Sequence, residues 1–265
     1  MSFSEYPTIK IRTQVKKFMA DLITPVSLFL RIRDHYAQPV LLESNDFSSA
    51  EDCFSFIGLQ PIAEFEVRRG KICTTLPGLG TQEHLVENTD SVASALHAFT
   101  TSFEVSQDTE LPVFNGFFGH VSFDAVQYFD THAFEEEKRV VDIPDVRFAL
   151  NRFIVAINHF KNELYVLENL LEGEESDIAR FEGLMRSPKI PMHEFALDGA
   201  EQSNLSDEAF RELVRIGKHH CQVGDVFQIV FSRQFSQRFK GDEFNVYRVL
   251  RSVNPSPYLF FFDYG

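Results

Sequence analysis

Residues 254–265 read NPSPYLFFFDYG. Two prolines, Pro255 and Pro257, lock φ at two positions and make a rigid turn. The turn leads into Tyr258–Phe262, an apolar run with no polar face before Asp263. Such a run is expected to be a strand that needs cover on both faces and partners along its edges. Few elements after residue 206 could supply that cover. The expectation is therefore a domain that is only partly present.

Just upstream lies GDVFQIVFSRQF, residues 224–235. Its alternation predicts a strand with Phe227, Ile229 and Phe231 on one face and Val226, Gln228 and Val230 on the other, both largely buried. A helix precedes it. Ser206 suits the N-cap, with Asp207 and Glu208 in the first turn and Leu205 and Phe210 placed as a hydrophobic staple. Phe210, Leu213, Val214, Gly217 and Cys221 share its apolar face, and Gly224 suits the position just past its end. Asp242 is expected to cap a second helix carrying Phe244, Tyr247 and Leu250. Residues 187–206 hold two prolines, a glycine and several polar residues, which mark a domain boundary. The division expected is one domain over 1–195 and the start of another over 200–265.

The first of these regions alternates strands and helices. Pro7–Thr13 reads as a half-exposed strand. Thr24-Pro25 opens a helix with a buried face of Leu28, Phe29, Ile32 and Tyr36, stopped by Pro39. Val40–Leu42 is a short buried strand ending on Glu43 and Ser44. Phe54–Gly58 is another. Ala63–Val67 and Lys71–Thr75 form a hairpin about Arg69-Gly70. Residues 91–99 suit a helix. Arg147–Ile157 and Glu163–Leu167 form a second hairpin, followed by a short helix through Met185. The fold class expected is α+β: antiparallel and mixed sheets packed as a sandwich with flanking helices, the last domain incomplete.

Composition narrows the function classes. With 265 residues and 44% apolar content the chain can bury a sizeable core. No apolar run approaches the roughly 20 residues that span a bilayer, and the N-terminus has no apolar block of a secretory signal. The net charge of −14 repels phosphate backbones, so nucleic acid is not expected as a partner. Cys53, Cys73 and Cys221 are odd in number and far apart, which argues for reduced thiols in a cytoplasmic protein.

Conventional catalytic constellations are missing. His219 and His220 occupy adjacent helical positions and diverge by about 100°, too far to share one ion. His120, Ser122 and Asp124 fall too close along one strand to act as a nucleophile–base–orienter set. Gly78-Leu79-Gly80 lacks a third glycine and a following helix, so it reads as a turn. Glu135–Glu137 reads as a solvated face. Two stretches invite a ligand instead: Glu43-Ser44, a carboxylate and a hydroxyl at a strand end, and the Pro255–Tyr258 turn, which presents an aromatic ring beside rigid backbone.

LLES at 41–44, GHVSFDAVQYF at 119–129, GDVFQIVFSRQF and NPSPY, in that order, resemble component I of anthranilate synthase, a chorismate-using enzyme of tryptophan biosynthesis. The resemblance covers nearly the whole chain and is strongest over Gly224–Tyr258. It implies an N-terminal domain followed by the beginning of a chorismate-binding domain. It also implies a feedback site for L-tryptophan formed by Ser44, Pro257, Tyr258 and Leu259, with Glu43 adjacent. Many family members carry Met where this chain has Leu259, a nearly volume-conserving difference. The family's reaction aminates chorismate and releases pyruvate, with Mg²⁺ on the substrate carboxylate and ammonia from a glutamine amidotransferase partner. Its magnesium-holding glutamates, histidine and chorismate-binding basic residues lie beyond Gly265, so no catalytic residue or metal ligand is expected within this chain, and the chain is expected to be inactive alone. The aminodeoxychorismate-forming relative of the folate branch shares the GD-x-x-Q stretch and a similar Asn-Pro turn; LLES followed by NPSPY favours the anthranilate branch. A third reading is a non-catalytic module that binds an amino acid.

Overall fold

The computed structural model describes residues 6–44, 53–108, 115–131, 134–135, 139 and 141–265. The chain divides into two compact units: Met1–Pro191 with Asn254–Gly265, and Met192–Val253.

The first unit contains β1 (Ile9–Met19), α1 (Pro25–Ile32), β2 (Val40–Ser44), β3 (Phe54–Arg68), β4 (Lys71–Leu76), β5 (Gly80–Leu85), α2 (Ser91–Thr101), β6 (Phe103–Gln107), β7 (Phe117–Val121), β8 (Val146–Asn158), β9 (Glu163–Leu171) and α3 (Ile178–Met185). The second contains β10 (Phe195–Ser203), α4 (Asp207–Val223), β11 (Phe235–Gly241) and α5 (Phe244–Val253). The last strand, β12 (Tyr258–Phe262), returns to the first unit.

Ten strands of the first unit form one hydrogen-bonded sheet, in the order β12-β2-β3-β8-β9-β1-β6, with β4 and β5 added beside β3 and β7 beside β8. Only β1 and β6 run parallel; every other pair is antiparallel. The mixed α+β class read from the sequence is therefore the class observed. The spine is the long β3–β8 ladder. Ser55, Ile57, Leu59, Ala63, Phe65 and Val67 of β3 are all buried, the odd positions of a period-two strand. An irregularity between Pro61 and Ala63, where Gln60 takes φ 57°, changes their partners on β8 from odd to even residues. A bulge of this kind bends and twists the ladder. Phe54–Gly58 and Ala63–Val67, two strands in the sequence reading, are thus the two halves of β3.

The many phenylalanines fill both ends of the spine. Phe153 stacks on Phe181 of α3 at 5.0 Å and meets Tyr36 at 5.2 Å, while Phe29 of α1 meets Phe261 edge-on at 5.8 Å. At the other end Phe99 of α2 packs against Phe65, Phe103 and Phe117.

Local chemistry explains most boundaries. Thr24 caps α1 through a reciprocal box with Ser27, and Pro25 occupies the first turn. The helix ends at Ile32, before the Pro39 stop expected. Arg33–His35 tighten into a 3₁₀ turn, and Tyr36 turns extended to reach Phe153 and Phe181. Ser206 caps α4 as read, accepting from the Ala209 amide.

The second unit departs from the sequence reading in two places. The linker expected over 187–206 contains β10, paired with β11. Residues 225–234 are not a strand; they carry no helix or ladder, Phe227 is fully exposed and Val230 is 82% exposed. A strand apolar on both faces forms only between neighbours that pair its edges, and none lies beside this segment among the described residues. Phe231 packs on α4 at Gly217, where an added Cβ would sit 2.3 Å from its ring. No described helix is long and apolar enough to cross a membrane.

Candidate functional site

β12 pairs antiparallel with β2, setting Tyr258 opposite Ser44 and Leu259 opposite Glu43. Pro257 immediately precedes the strand, and the turn before it is closed by the Ser256 amide donating to the Asn254 carbonyl at 2.8 Å. All five residues singled out from the sequence therefore meet at one end of one strand pair.

The pleat sorts them onto two faces. Glu43, 3% exposed, and Leu259, 9% exposed, share the buried face. Phe261, two positions on from Leu259, contacts Phe29 of α1 there. Ser44 and Tyr258 share the opposite face with Leu42 and Phe260. Ser44 is half-buried, while Tyr258 and Phe260 are exposed, so the full cover expected for this strand is present on one face only. Next to Ser44 and Tyr258 lies an aromatic floor: Phe54 stacks on Phe56 at 6.0 Å, Phe56 meets Phe118 at 6.2 Å, and these pack with Leu42 over Ile154, Ala156 and Leu167. A hydroxyl and a phenol beside an aromatic floor suit a flat ligand with a polar end.

Three neighbours support this end of the sheet. The Cys53 thiol donates to the Ser44 carbonyl at 3.6 Å and lies 3.8 Å from its hydroxyl. Ser55 and His159 Nε2 are 2.7 Å apart; burial pushes the His159 pKa below the usual imidazole value. Ser55 is wholly buried, so this pair is structural and presents no nucleophile.

At the far end of β12, His120 Nε2 donates to the Pro144 carbonyl at 3.0 Å, which leaves Nδ1 to accept from the Tyr264 hydroxyl at 2.8 Å. The Arg147 guanidinium lies 4.1 Å from the Tyr264 ring centroid and is held by Gln38, Glu64 and Glu66. Burial pushes the Tyr264 hydroxyl up to about 12; Arg147 opposes the shift, and Glu66 and Glu64 add to it.

The weaker sequence candidates resolve as structure. His120 turns to Tyr264 and Pro144, the contacts given above. His220 pairs with Asp225 at 2.7 Å. Gly78 and Gly80 take φ 74° and 71° in the turn between β4 and β5. Glu136 and Glu137 lie outside the described residues. Among the described residues no three His, Cys, Asp or Glu side chains gather as metal ligands. Sequence reasoning missed Cys53, Arg147 and Tyr264 as neighbours of the site. Only Tyr264, a polar aromatic just past an apolar strand, carried a local signal.

The sequence profile described as "chorismate binding enzyme" matches residues 43–265. Component 1 of anthranilate synthase from Thermus thermophilus is 29% identical over 260 residues, covering 97% of this chain and 54% of the relative. The anthranilate synthase alpha subunit 2 of Arabidopsis thaliana is 29% identical over 275 residues, covering 91% of this chain and 43% of the relative. The crystal structure of anthranilate synthase component I from Streptococcus pneumoniae aligns with a TM-score of 0.53 at 22% identity, over 91% of this chain and 53% of that one. The chain thus spans about half the length of the relatives it matches, with a shared fold. By the extent of the match over 43–265, this chain belongs to the chorismate binding enzyme family.

Proposed function

We propose that this chain is the N-terminal part of a component I of anthranilate synthase. The whole enzyme would convert chorismate and ammonia to anthranilate and pyruvate in the cytoplasm, with a glutamine amidotransferase subunit as the ammonia source. On this reading L-tryptophan binds as inhibitor at Glu43, Ser44, Pro257, Tyr258 and Leu259. It lies on the Ser44–Tyr258 face beside the aromatic floor, and Glu43 and Leu259, whose side chains turn to the buried face, meet it through their backbone. Residues 1–195 then form the N-terminal domain carrying part of the inhibitor site, and residues from 200 onward begin the chorismate-binding domain, whose β12 pairs into the sheet of the first unit.

The observation that carries the reading is the β2–β12 register. Two segments from opposite ends of the chain, expected to touch one ligand, are cross-strand neighbours at Tyr258–Ser44 and Leu259–Glu43. The aromatic floor of Phe54, Phe56 and Phe118 beside Ser44 adds a surface for an indole.

The described residues gather no carboxylate set for magnesium. Magnesium, the acid–base groups and the chorismate-binding basic residues are proposed to come from the remainder of the enzyme. The 265-residue chain alone is expected to turn over no chorismate when supplied with magnesium and ammonium. Anthranilate formed by the purified chain would refute that.

The chain contains no Trp, so excitation at the red edge of indole absorbance reports added L-tryptophan alone. Titration should give a saturable blue shift and raised anisotropy that L-phenylalanine does not reproduce. A folded chain that leaves tryptophan emission unchanged would remove support for the site. Slow, non-exchanging tryptophan would point to the aminodeoxychorismate branch instead.

A further inference from the structure

β12 has an unusual problem of specification. Tyr258, Leu259, Phe260, Phe261 and Phe262 are apolar or aromatic on both faces. Register is normally set by a polar/apolar alternation, because a one-residue slip exchanges the faces. Here a slip exchanges like for like. A two-residue slip is easier still, since each side chain keeps its face.

Slipping one way would carry Asp263 into the place of Phe261, against Phe29, and bury a carboxylate. Slipping the other way would put Leu259 there, an apolar side chain of acceptable size. Leu42 would then face Tyr258, and Ser44 would face Ser256. Within β12 itself nothing opposes that second slip.

Drawing Pro257 opposite Glu43 would leave one ladder position without an N–H donor, and a second opposition comes from Tyr264. Its hydroxyl donates to His120 Nδ1, its ring stacks 5.7 Å from the imidazole and the Arg147 guanidinium lies 4.1 Å from its ring centroid. Both partners are themselves fixed. His120 is tied to the Pro144 carbonyl through Nε2, and Arg147 is held by Gln38, Glu64 and Glu66. His120 and Arg147 are also cross-strand partners on β7 and β8, so the receptor for Tyr264 is built on the sheet spine. A shift of two residues would draw the phenol roughly 7 Å along the strand axis, beyond reach of either group.

We propose that His120 and Arg147 are positioning residues that lock the register of β12 through Tyr264, and so bring Tyr258 opposite Ser44. The consequence for ligand binding rests on the tryptophan-site reading; the register lock itself does not.

The test uses the full chain with Cys53→Ser, because Cys53 touches Ser44. Two reporter pairs are added separately. Ser44→Cys with Tyr258→Cys reads the observed register, and Leu42→Cys with Tyr258→Cys reads the slipped one. A short bifunctional thiol reagent is applied, and cross-linked peptides are quantified by mass spectrometry. With the lock intact, the 44–258 link should exceed the 42–258 link at least tenfold. Tyr264→Ala combined with His120→Phe should lower that ratio severalfold in protein that remains folded by circular dichroism. Tyr264→Phe removes only the hydroxyl, is not expected to perturb folding and should lower the ratio partway. A ratio unchanged in Tyr264→Phe and in folded double variant overturns the lock. Tryptophan titrations of chains without the reporter cysteines separate the two claims. A lowered ratio with weakened tryptophan binding supports both. A lowered ratio in a protein whose parent never bound tryptophan supports the lock and removes the ligand reading.

Discussion

Single atoms decide several positions in this sheet. A Cβ on Gly119 would lie 1.8 Å from the Arg147 carbonyl oxygen, a backbone atom that cannot rotate away. Gly119→Ala is expected to cost about 3 kcal/mol or more by overpacking, seen as a lower urea midpoint. One histidine and two tyrosines make stability depend on pH in opposite directions. His159 resists protonation when folded, because burial lowers its pKa. An unfolded chain takes up that proton, so the stability is present above about pH 6.5 and falls as pH drops below it. His159→Gln should flatten the difference between urea unfolding at pH 5 and at pH 7.5. Tyr128 and Tyr264 are both pushed up to about 12, chiefly by burial. Their contribution is complete below about pH 10 and is lost as pH rises from there toward 12. The double variant Tyr128→Phe with Tyr264→Phe should unfold less steeply with alkali than the parent.

Elements with local signals were legible in the sequence. Thr24-Pro25 and Ser206 carry their caps beside them, and α1 and α4 begin where those residues say. The β3–β4 and β8–β9 hairpins follow from alternation flanking turn residues. β10 was hidden because Phe195–Ser203 is mostly solvent-exposed and carries Gly199 and a bulge near its centre, so it shows no sustained alternation. Residues 225–234 misled for the converse reason: alternation predicts a strand only where neighbours exist to pair it. At the candidate site, Glu43, Ser44, Pro257, Tyr258 and Leu259 were legible through the resemblance. Cys53 and Arg147 were not, since their roles arise from contacts between strands distant in sequence; Tyr264 carried a local signal, but its partners His120 and Arg147 did not show in the sequence. The helix layer on the spine yields one element-scale expectation. Phe153 is fully buried between Tyr36 and Phe181. Phe153→Ala should cost about 3–5 kcal/mol, measured by chemical denaturation, and should loosen α3 in hydrogen exchange.

At the scale of the whole chain, the two units differ in kind. The first encloses Phe29, Phe65, Phe99, Phe153 and Phe181 in a ten-stranded sheet with covering helices. The second has one strand pair, two helices and exposed Phe227, Ile229 and Val230. Limited proteolysis should therefore cut first within residues 225–234, where no backbone ladder protects the chain. The C-terminal fragment should stay bound after cutting, because β12 is paired with β2. Size-exclusion chromatography of the nicked protein under native conditions checks this; release of the fragment would mean that the pairing is weak.

The return of β12 also has a consequence for synthesis. On the ribosome β2 is made early and β12 only after the whole of Met192–Val253. Until then one edge of β2 is open, backed by Leu41 and Leu42, beside other nascent chains growing on the same message. An open apolar edge in a partly made sheet is the situation in which aggregation competes with folding. Translation speed through residues 192–253 thus sets how long the nascent chain carries that exposed seam, so slow codons there should lower the yield of folded protein.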